Sequence, residues 1–314
     1  MKYGKLKPGS VADAWNVSCD DTLDHLCAAS NAFARAAYQR AFDDICAEQF
    51  LLSQLDLCSV LVEGNNCPIL KSGSNKYYEI SSNPVVFDDA RFVATGLIPD
   101  CYIVIPEAAR LASPLLEREW NASCAIDSIR PALARQQLDW VHIEDVHGIA
   151  VASALRAFDS HPSISFYWRL CKSLLIAHGW SVGIDGLDVA FRRYKCDLAA
   201  RFSEVETSSL FVSSKYFRSE SPGDTQRGKF RIFENEGAPN QATLLLVGDS
   251  HSYSAISQIL SHYFKRVLFY WADRASNYGA RHDEIAQHAQ EADFFIEECS
   301  ERFFLRNFSA LAGA

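Results

Sequence analysis

Residues 243–252 read Thr-Leu-Leu-Leu-Val-Gly-Asp-Ser-His-Ser, an apolar run that ends in Gly-Asp-Ser. Such a run is typical of a buried β-strand, and the apolar periodicity from about Tyr253 to Phe264 predicts that a helix follows. A serine between a strand and a helix lies at the edge where open α/β sheets bind ligands. Gly248 permits a tight turn, and the Ser250 amide can donate to the oxyanion of an acyl-transfer intermediate. We therefore predict that Ser250 is the nucleophile of an acyl-ester enzyme.

Two other interpretations of this stretch stay open. Asp249 or Ser250 can simply cap the helix, as both residue types often do. An α/β-hydrolase elbow requires G-x-S-x-G, but its fifth position is Ser252 here. That fold also places its acid and histidine after the serine, and only 64 residues follow Ser250. The elbow is therefore disfavoured.

Strand and helix patterns alternate on both sides of this stretch, which indicates an α/β protein with a parallel sheet. Apolar runs predict strands at 85–87, 102–106, 140–143, 243–247, 266–270 and 293–297. Helical patterns lie at 111–120, 149–158 and 283–290. The polar segment at about 184–240 has no strong period, so we predict a loop-rich insertion there.

The N-terminal part of the chain is Ala-rich and has helical periodicity from about residue 10 to residue 61. We predict a helical extension over residues 1–59 and one catalytic domain over residues 60–314. The helices offer a face on which a partner protein could dock, although such a charged face is more often solvated surface.

A serine nucleophile needs a base, and the chain offers one upstream. The strand pattern at Trp140–Ile143 ends in Glu-Asp-Val-His, so Asp145 and His147 leave a strand end and can reach the same sheet edge as Ser250. We predict that His147 takes the Ser250 proton and that Asp145 orients the imidazole. Alternatively, Asp145 is a helix N-cap, or His142, Asp145 and His147 bind a metal, for which a matching fourth ligand is lacking.

These motifs together resemble the AlgX/AlgJ-type alginate O-acetyltransferases, in which an Asp-x-His box lies about a hundred residues before the serine box of an SGNH hydrolase-like domain. His147 precedes Ser250 by about that distance. Four further pieces are similar and occur in the same order, at residues 62–66, 103–106, 260–267 and 292–305. The chain has Gly148 where the family has tryptophan after the Asp-x-His box.

The resemblance implies a flavodoxin-like parallel sheet flanked by helices and an O-acetyltransferase. The enzyme would carry acetyl on Ser250 and pass it to a hydroxyl of a sugar or polysaccharide, alginate being the family's polymer. The alternatives are a carbohydrate acetylesterase and a catalytically silent, glycan-binding member of the same fold. Tyr253 and Arg302 are candidate substrate or oxyanion residues. We expect an acetyl donor and a carbohydrate acceptor as ligands, and no cofactor or metal.

Composition excludes several other classes of protein. The net charge of −9 argues against nucleic acid as a partner. Apolar runs are only strand-sized, so we predict no transmembrane segment. The first residues lack a signal-peptide pattern, which predicts a cytoplasmic protein, whereas the family resemblance implies the periplasm if a segment precedes residue 1. The ten cysteines are scattered among apolar neighbours and are predicted to be buried thiols.

Overall fold

The computed structural model describes residues 15–17, 20–62, 64–71, 85–87, 95–106, 108, 111, 134, 139–141, 151–183, 186–221, 228–274, 278–301, 303 and 309–311. Its helices are α1 Asp20–Cys46, α2 Gln49–Gln54, α3 Val151–Ala154, α4 Ile164–Ala177, α5 Ser257–Leu260 and α6 His282–Glu291. Its strands are β1 Trp15–Val17, β2 Leu57–Val62, β3 Asn65–Leu70, β4 Val85–Phe87, β5 Cys101–Ile105, β6 Asp139–Val141, β7 Leu187–Tyr194, β8 Thr207–Val212, β9 Phe217–Ser221, β10 Phe230–Glu234, β11 Asn240–Gly248, β12 Phe264–Trp271, β13 Phe294–Ser300 and β14 Ser309–Leu311.

The largest sheet has seven strands in the order β6-β5-β13-β11-β12-β10-β9. The five strands β6, β5, β13, β11 and β12 are parallel to one another, whereas β10 pairs antiparallel with β12 and the edge strand β9 pairs antiparallel with β10. The protein is thus a mixed α/β fold with a central, mostly parallel sheet, as the alternating pattern predicted. The strand order departs from chain order, because β13 lies between β5 and β11.

Helices cover both faces of the central strand β11. Leu244 and Leu246 face α1 and α4 in one core cluster, whereas Leu245 and Val247 face α6 in another. Consecutive side chains of a strand point to opposite faces, so a strand covered on both sides is apolar throughout. This explains why residues 244–247 form an uninterrupted apolar run.

The N-terminal helix α1 is packed into this core. Its Leu23 and Cys27 belong to the same cluster as Leu244, and its Tyr38 and Phe42 form a second cluster with Phe158. The predicted helices are therefore present as α1 and α2, but the two ends of the segment predicted to be helical form the strands β1 and β2 instead. Helix α1 is buried along one face by the main body of the protein. The predicted boundary at residue 59 remains a prediction.

Residues 184–240, for which we predicted long loops, contain the strands β7 to β10. The prediction of a loop-rich insertion is corrected accordingly. β7 pairs with both β1 and β8 in a separate antiparallel sheet, and β9 and β10 extend the large sheet. Several of these strands carry polar side chains, as in β9, where Arg218, Ser219 and Glu220 are exposed, and this conceals the strand pattern.

The predicted strand at 85–87 is present as β4, but it pairs with β14 outside the large sheet. β2 and β3 form a further hairpin. The predicted helix at 111–120 falls almost entirely outside the described residues. All eight cysteines among the described residues are thiols, and six of them are buried. Of the described helices, none is both long enough and apolar enough to cross a membrane.

Candidate active site

Ser250 lies where the sequence placed it, directly after β11. β11 ends at Gly248, and a helical segment begins at Ser250 and continues through a π-helical turn at Ser252–Ile256 into α5. The Asp249 carboxylate accepts a hydrogen bond from the His251 amide at 2.8 Å. Asp249 thus caps the turn, while the Ser250 hydroxyl is left for another partner.

Glu298, on the neighbouring strand β13, binds the turn at residues 248–252 through one carboxylate oxygen. Its Oε2 accepts hydrogen bonds from the amides of Asp249 (3.1 Å) and Ser252 (3.2 Å) and from the Ser252 hydroxyl (2.6 Å). Burial and the charge of Asp249 raise the pKa of Glu298 well above its usual value. A Cβ on Gly248 would lie 2.5 Å from the same Oε2 atom. Glycine is therefore required at 248 because the carboxyl group approaches the backbone so closely.

The hydroxyl of Ser250 faces His161. His161 Nε2 lies 3.1 Å from Ser250 Oγ, and His161 Nδ1 lies 2.8 Å from Asp159 Oδ1. An ionised Asp159 can only accept, so Nδ1 carries the ring proton and Nε2 is the acceptor for the Ser250 hydroxyl. Serine, histidine and aspartate thereby form one continuous hydrogen-bonded chain.

Asp159 is fully buried and is held in its charged form. Its Oδ1 also accepts a hydrogen bond from the His161 amide at 3.0 Å, and its Oδ2 lies 3.6 Å from the Arg156 guanidinium. Burial acts to raise the pKa of Asp159, but the charge of Arg156 and the bonds from His161 outweigh it and hold the pKa well below its usual range. Burial likewise acts to lower the pKa of His161, but Asp159 more than offsets this and raises it.

The hydrogen bond that we predicted for His147 is thus made by His161. Asp145 and His147 lie outside the described residues, and the place beside Ser250 Oγ is taken by the second Asp-x-His of the chain, Asp159-Ser160-His161. That signal was present in the sequence. Our prediction rested on an Asp-x-His at a strand end, whereas Asp159-Ser160-His161 follows the short helix α3.

A second carboxylate, Asp197, lies on the same Nδ1 side of the imidazole as Asp159. Its Oδ1 accepts a hydrogen bond from the Ser160 amide at 2.7 Å, and its Oδ2 accepts one from the Ser160 hydroxyl. Asp197 Oδ2 is also 3.8 Å from His161 Nδ1. Burial and the charge of Asp159 raise the pKa of Asp197 to about 6.

Among the described residues, Asp159, His161 and Asp197 are the group whose ligand atoms lie close enough together to hold a metal ion. Each of the three already has a hydrogen-bond partner, however, and Arg156 brings a positive charge to Asp159. The hydrogen-bonded arrangement therefore accounts for all three side chains. His142, of the alternative metal interpretation, lies outside the described residues.

A second histidine packs against the first. The rings of His161 and His251 are 4.9 Å apart between centroids, and the Tyr167 hydroxyl lies 2.6 Å from His251 Nδ1. Burial raises the pKa of Tyr167 well above its usual value, so this phenol stays protonated. The sequence analysis did not single out either residue.

The structure describes only one of the two candidate substrate or oxyanion residues, Tyr253 and Arg302. The Tyr253 hydroxyl accepts a hydrogen bond from Lys229 at 3.1 Å, and the Arg231 guanidinium lies 3.4 Å from the Tyr253 ring centroid. Tyr253 therefore packs against β10, and its role toward a substrate stays a prediction. Arg302 lies outside the described residues.

Comparison with known proteins gives no family for the chain. No family model matches the sequence, and no curated protein matches it at a significant level. Similar solved structures include a DHHW family protein from Eubacterium siraeum, at 11% identity and a TM-score of 0.50, over 81% of this chain and 94% of that one. They also include PatB1 of Bacillus cereus, at 10% identity and a TM-score of 0.48, over 79% of this chain and 97% of that one. A third is the O-acetyltransferase domain of AlgJ from Pseudomonas putida, at 14% identity and a TM-score of 0.36, over 74% and 83%. At these identities, the likeness to the DHHW family protein concerns the fold alone.

Proposed function

We propose that this chain is a serine-dependent acyltransferase, and more specifically an O-acetyltransferase that acts on a sugar or polysaccharide hydroxyl. The observation that carries the proposal is the hydrogen-bonded chain from Ser250 Oγ through His161 to Asp159. A hydroxyl, a base in contact with it and a carboxylate that orients the base are the parts that nucleophilic acyl transfer needs.

The reaction proceeds in two balanced steps. Ser250 Oγ attacks the carbonyl carbon of an acetyl ester while its proton passes to His161 Nε2, and the leaving group departs with that proton. In the second step His161 takes the proton of the acceptor hydroxyl, which attacks the carbonyl carbon of acetyl-Ser250. The bond to Ser250 Oγ breaks, and His161 returns the proton to that oxygen. Asp159 keeps the imidazole in the Nδ1–H form and stabilises its positive charge in both steps. The Ser250 amide, in the first turn of a helical segment, is the proposed donor to the oxyanion.

The strand order supports an SGNH-like sheet in which chain order is permuted. The parallel strands lie in the order β12-β11-β13-β5-β6. If they are numbered from 1 to 5 as β11, β12, β13, β5 and β6, this order is 2-1-3-4-5, the neighbour order of flavodoxin-like sheets. Ser250 then follows the first strand and the Asp-x-His pair follows the fifth. The resemblance of motif order to the alginate O-acetyltransferases supports a carbohydrate acceptor. With water as the acceptor, the same site would be an acetylesterase.

The proposal is tested with 4-nitrophenyl acetate and intact-mass spectrometry. We expect wild type to release nitrophenol and to acquire one acetyl group on Ser250, and S250A to do neither. His161→Gln should lower the rate by about a hundredfold or more, whereas His147→Gln, the matched control, should leave it unchanged. Equal slow rates in wild type and S250A would contradict the proposal, and loss of activity in His147→Gln alone would restore our first assignment of the base.

A second measurement separates transfer from hydrolysis. Oligosaccharide acceptors are added to acetylated enzyme, and acetylated sugar and free acetate are both quantified. Acetylated sugar as the main product supports the transferase, and acetate alone supports the esterase. A chain that binds the oligosaccharides but never carries acetyl would be the silent glycan-binding alternative.

A further inference from the structure

We propose that Asp197 is a positioning residue for this site, which holds the turn at residues 158–161 in register with Ser250 and thereby sets the orientation of His161. The inference rests on the proposed role of His161 as the base. Asp197 follows β7 of the small sheet, so the turn is held by a part of the fold that contributes nothing else to the hydrogen-bonded chain.

Four hydrogen bonds tie this turn to residues 197–199. Asp197 accepts from the amide and from the hydroxyl of Ser160, the middle residue of the Asp-x-His. Two residues before Ser160, the carbonyl of Phe158 accepts hydrogen bonds from the amides of Leu198 (3.2 Å) and Ala199 (3.3 Å). The backbone on either side of Asp159 is therefore fixed by one short segment.

The turn needs such a support because its backbone is strained. Phe158 has a φ of +62°, a conformation that is costly for a bulky side chain and persists only where the surroundings impose it. Its buried ring packs against Tyr38, Phe42 and Phe202. These contacts and the four hydrogen bonds together hold the aspartate and the histidine in place.

Asp197 also places a negative charge near His161, the proposed base. The charged and titratable groups that face His161 are Asp159 and Arg156 from its own segment, Asp197 from the segment after β7, and His251 from beside Ser250. Two carboxylates on the Nδ1 side favour the imidazolium that forms when His161 takes a proton. Removal of Asp197 should therefore make His161 a weaker base and allow it to stay neutral at lower pH.

The test measures covalent labelling of Ser250 by phenylmethylsulfonyl fluoride as a function of pH, followed by intact mass. In this reaction Ser250 Oγ attacks sulfur, fluoride leaves and His161 takes the proton. We expect Asp197→Ala to slow labelling by tenfold or more on the plateau above the acid limb of the profile. Asp197→Asn, which keeps an acceptor for the Ser160 amide, should recover most of that rate but move the acid limb of the profile down by about one pH unit. Ser160→Ala should lower the rate and leave the limb in place.

Asp188→Ala is the matched control. Asp188 lies on β7, is paired with Lys215 and has a similar exposure, 15% against 19% for Asp197. It should label at the wild-type rate. Wild-type labelling and an unshifted limb in both Asp197 variants would overturn the inference while the proposed function stands. No labelling of wild-type Ser250 would overturn both. If Asp197→Ala does not fold, the position of the acid limb in Asp197→Asn tests the inference, and a limb at the wild-type pH overturns it.

Discussion

The turn at residues 248–252, which carries the proposed nucleophile, is held by its neighbours in the large sheet. The turn at residues 158–161, which carries the proposed base, is held by a segment that follows the small sheet. The first depends on one glycine and one buried carboxyl group, Gly248 and Glu298. The second depends on a strained residue, Phe158, and on the carboxylate of Asp197.

This difference shows two ways of placing a reactive side chain. In the large sheet, the end of a parallel strand already points to the ligand edge, so only the close approach of Glu298 has to be accommodated. Outside the sheet no such geometry exists, and long-range contacts must impose a conformation that the chain does not adopt alone. Substitutions at the two turns should therefore fail for different reasons.

Among substitutions outside the hydrogen-bonded chain of Ser250, His161 and Asp159, the largest loss of activity is expected from Gly248→Ala. The new Cβ would lie 2.5 Å from Glu298 Oε2 and 2.6 Å from Ser252 Oγ, closer than such atoms can approach. Glu298 is buried and cannot swing away, so the turn must move. A displacement of about 1 Å costs about a hundredfold in activity, which ester hydrolysis would show. Gly237→Ala is the control, because its Cβ would make an ordinary 3.6 Å contact. Equal activity of the two variants would contradict the account of Gly248.

Phe158 provides the corresponding test of the other turn. Phe158→Ala should lower the free energy of unfolding by about 3–5 kcal/mol, because a buried aromatic ring is lost. Phe158→Gly should lose about 1 kcal/mol less than Phe158→Ala, since glycine adopts a positive φ without strain.

The order should reverse at Phe166, a buried residue of α4, where glycine is the poorer helix former by about 1 kcal/mol. Urea denaturation of the four variants measures both differences. The same order at both positions would show that Phe158 is not strained.

Glu298 should tolerate an amide but not its removal. Glu298→Ala leaves three donors at the nucleophile turn without their acceptor, which costs about 3 kcal/mol of unfolding free energy. The raised pKa of Glu298 favours a neutral carboxylic acid, which glutamine resembles in shape and charge. Glu298→Gln should thus cost about 1 kcal/mol or less. A large loss in Glu298→Gln, measured by denaturation at pH 7, would indicate that the charged form is required.

The smallest change is a pH effect. His161 must be neutral to act as a base, and its pKa is raised above the ordinary 6.5, so activity should rise with pH along a limb above that value. The contribution of His161 to the free energy of unfolding changes with pH in the opposite direction. The pairing with Asp159 stabilises the fold fully below about pH 6.5, and this part is lost as pH rises through the folded pKa of His161. His161→Gln should remove that slope from the unfolding free energy, and a slope that persists would contradict the assignment.

Sequence patterns predicted the five parallel strands of the large sheet and the position of Ser250, because both depend on local features. Four apolar residues and a glycine mark β11 and its end, and five of the six predicted strands lie in the large sheet. The fold of 184–240 was missed because β7 and β8 form a sheet with polar side chains, such as Arg192 and Ser208, on their strands.

The proposed base could not be chosen from local features. The chain has three Asp-x-His triplets, at residues 145–147, 159–161 and 249–251, and proximity to a strand end led us to Asp145 and His147. Asp159 and His161 are placed by the contact of Ser160 with Asp197, 37 residues away in the chain, and by the packing around Phe158. Those contacts follow from the tertiary fold, and a single sequence does not display them.

The position of β13 between β5 and β11 has a consequence for synthesis of the protein. On the ribosome, β5 and β6 emerge early, and β11 and β12 emerge much later, but the two pairs cannot join until β13 has left the exit tunnel. The nascent chain therefore presents an open apolar strand edge for most of its synthesis, which is an opportunity for mispairing and for chaperone binding.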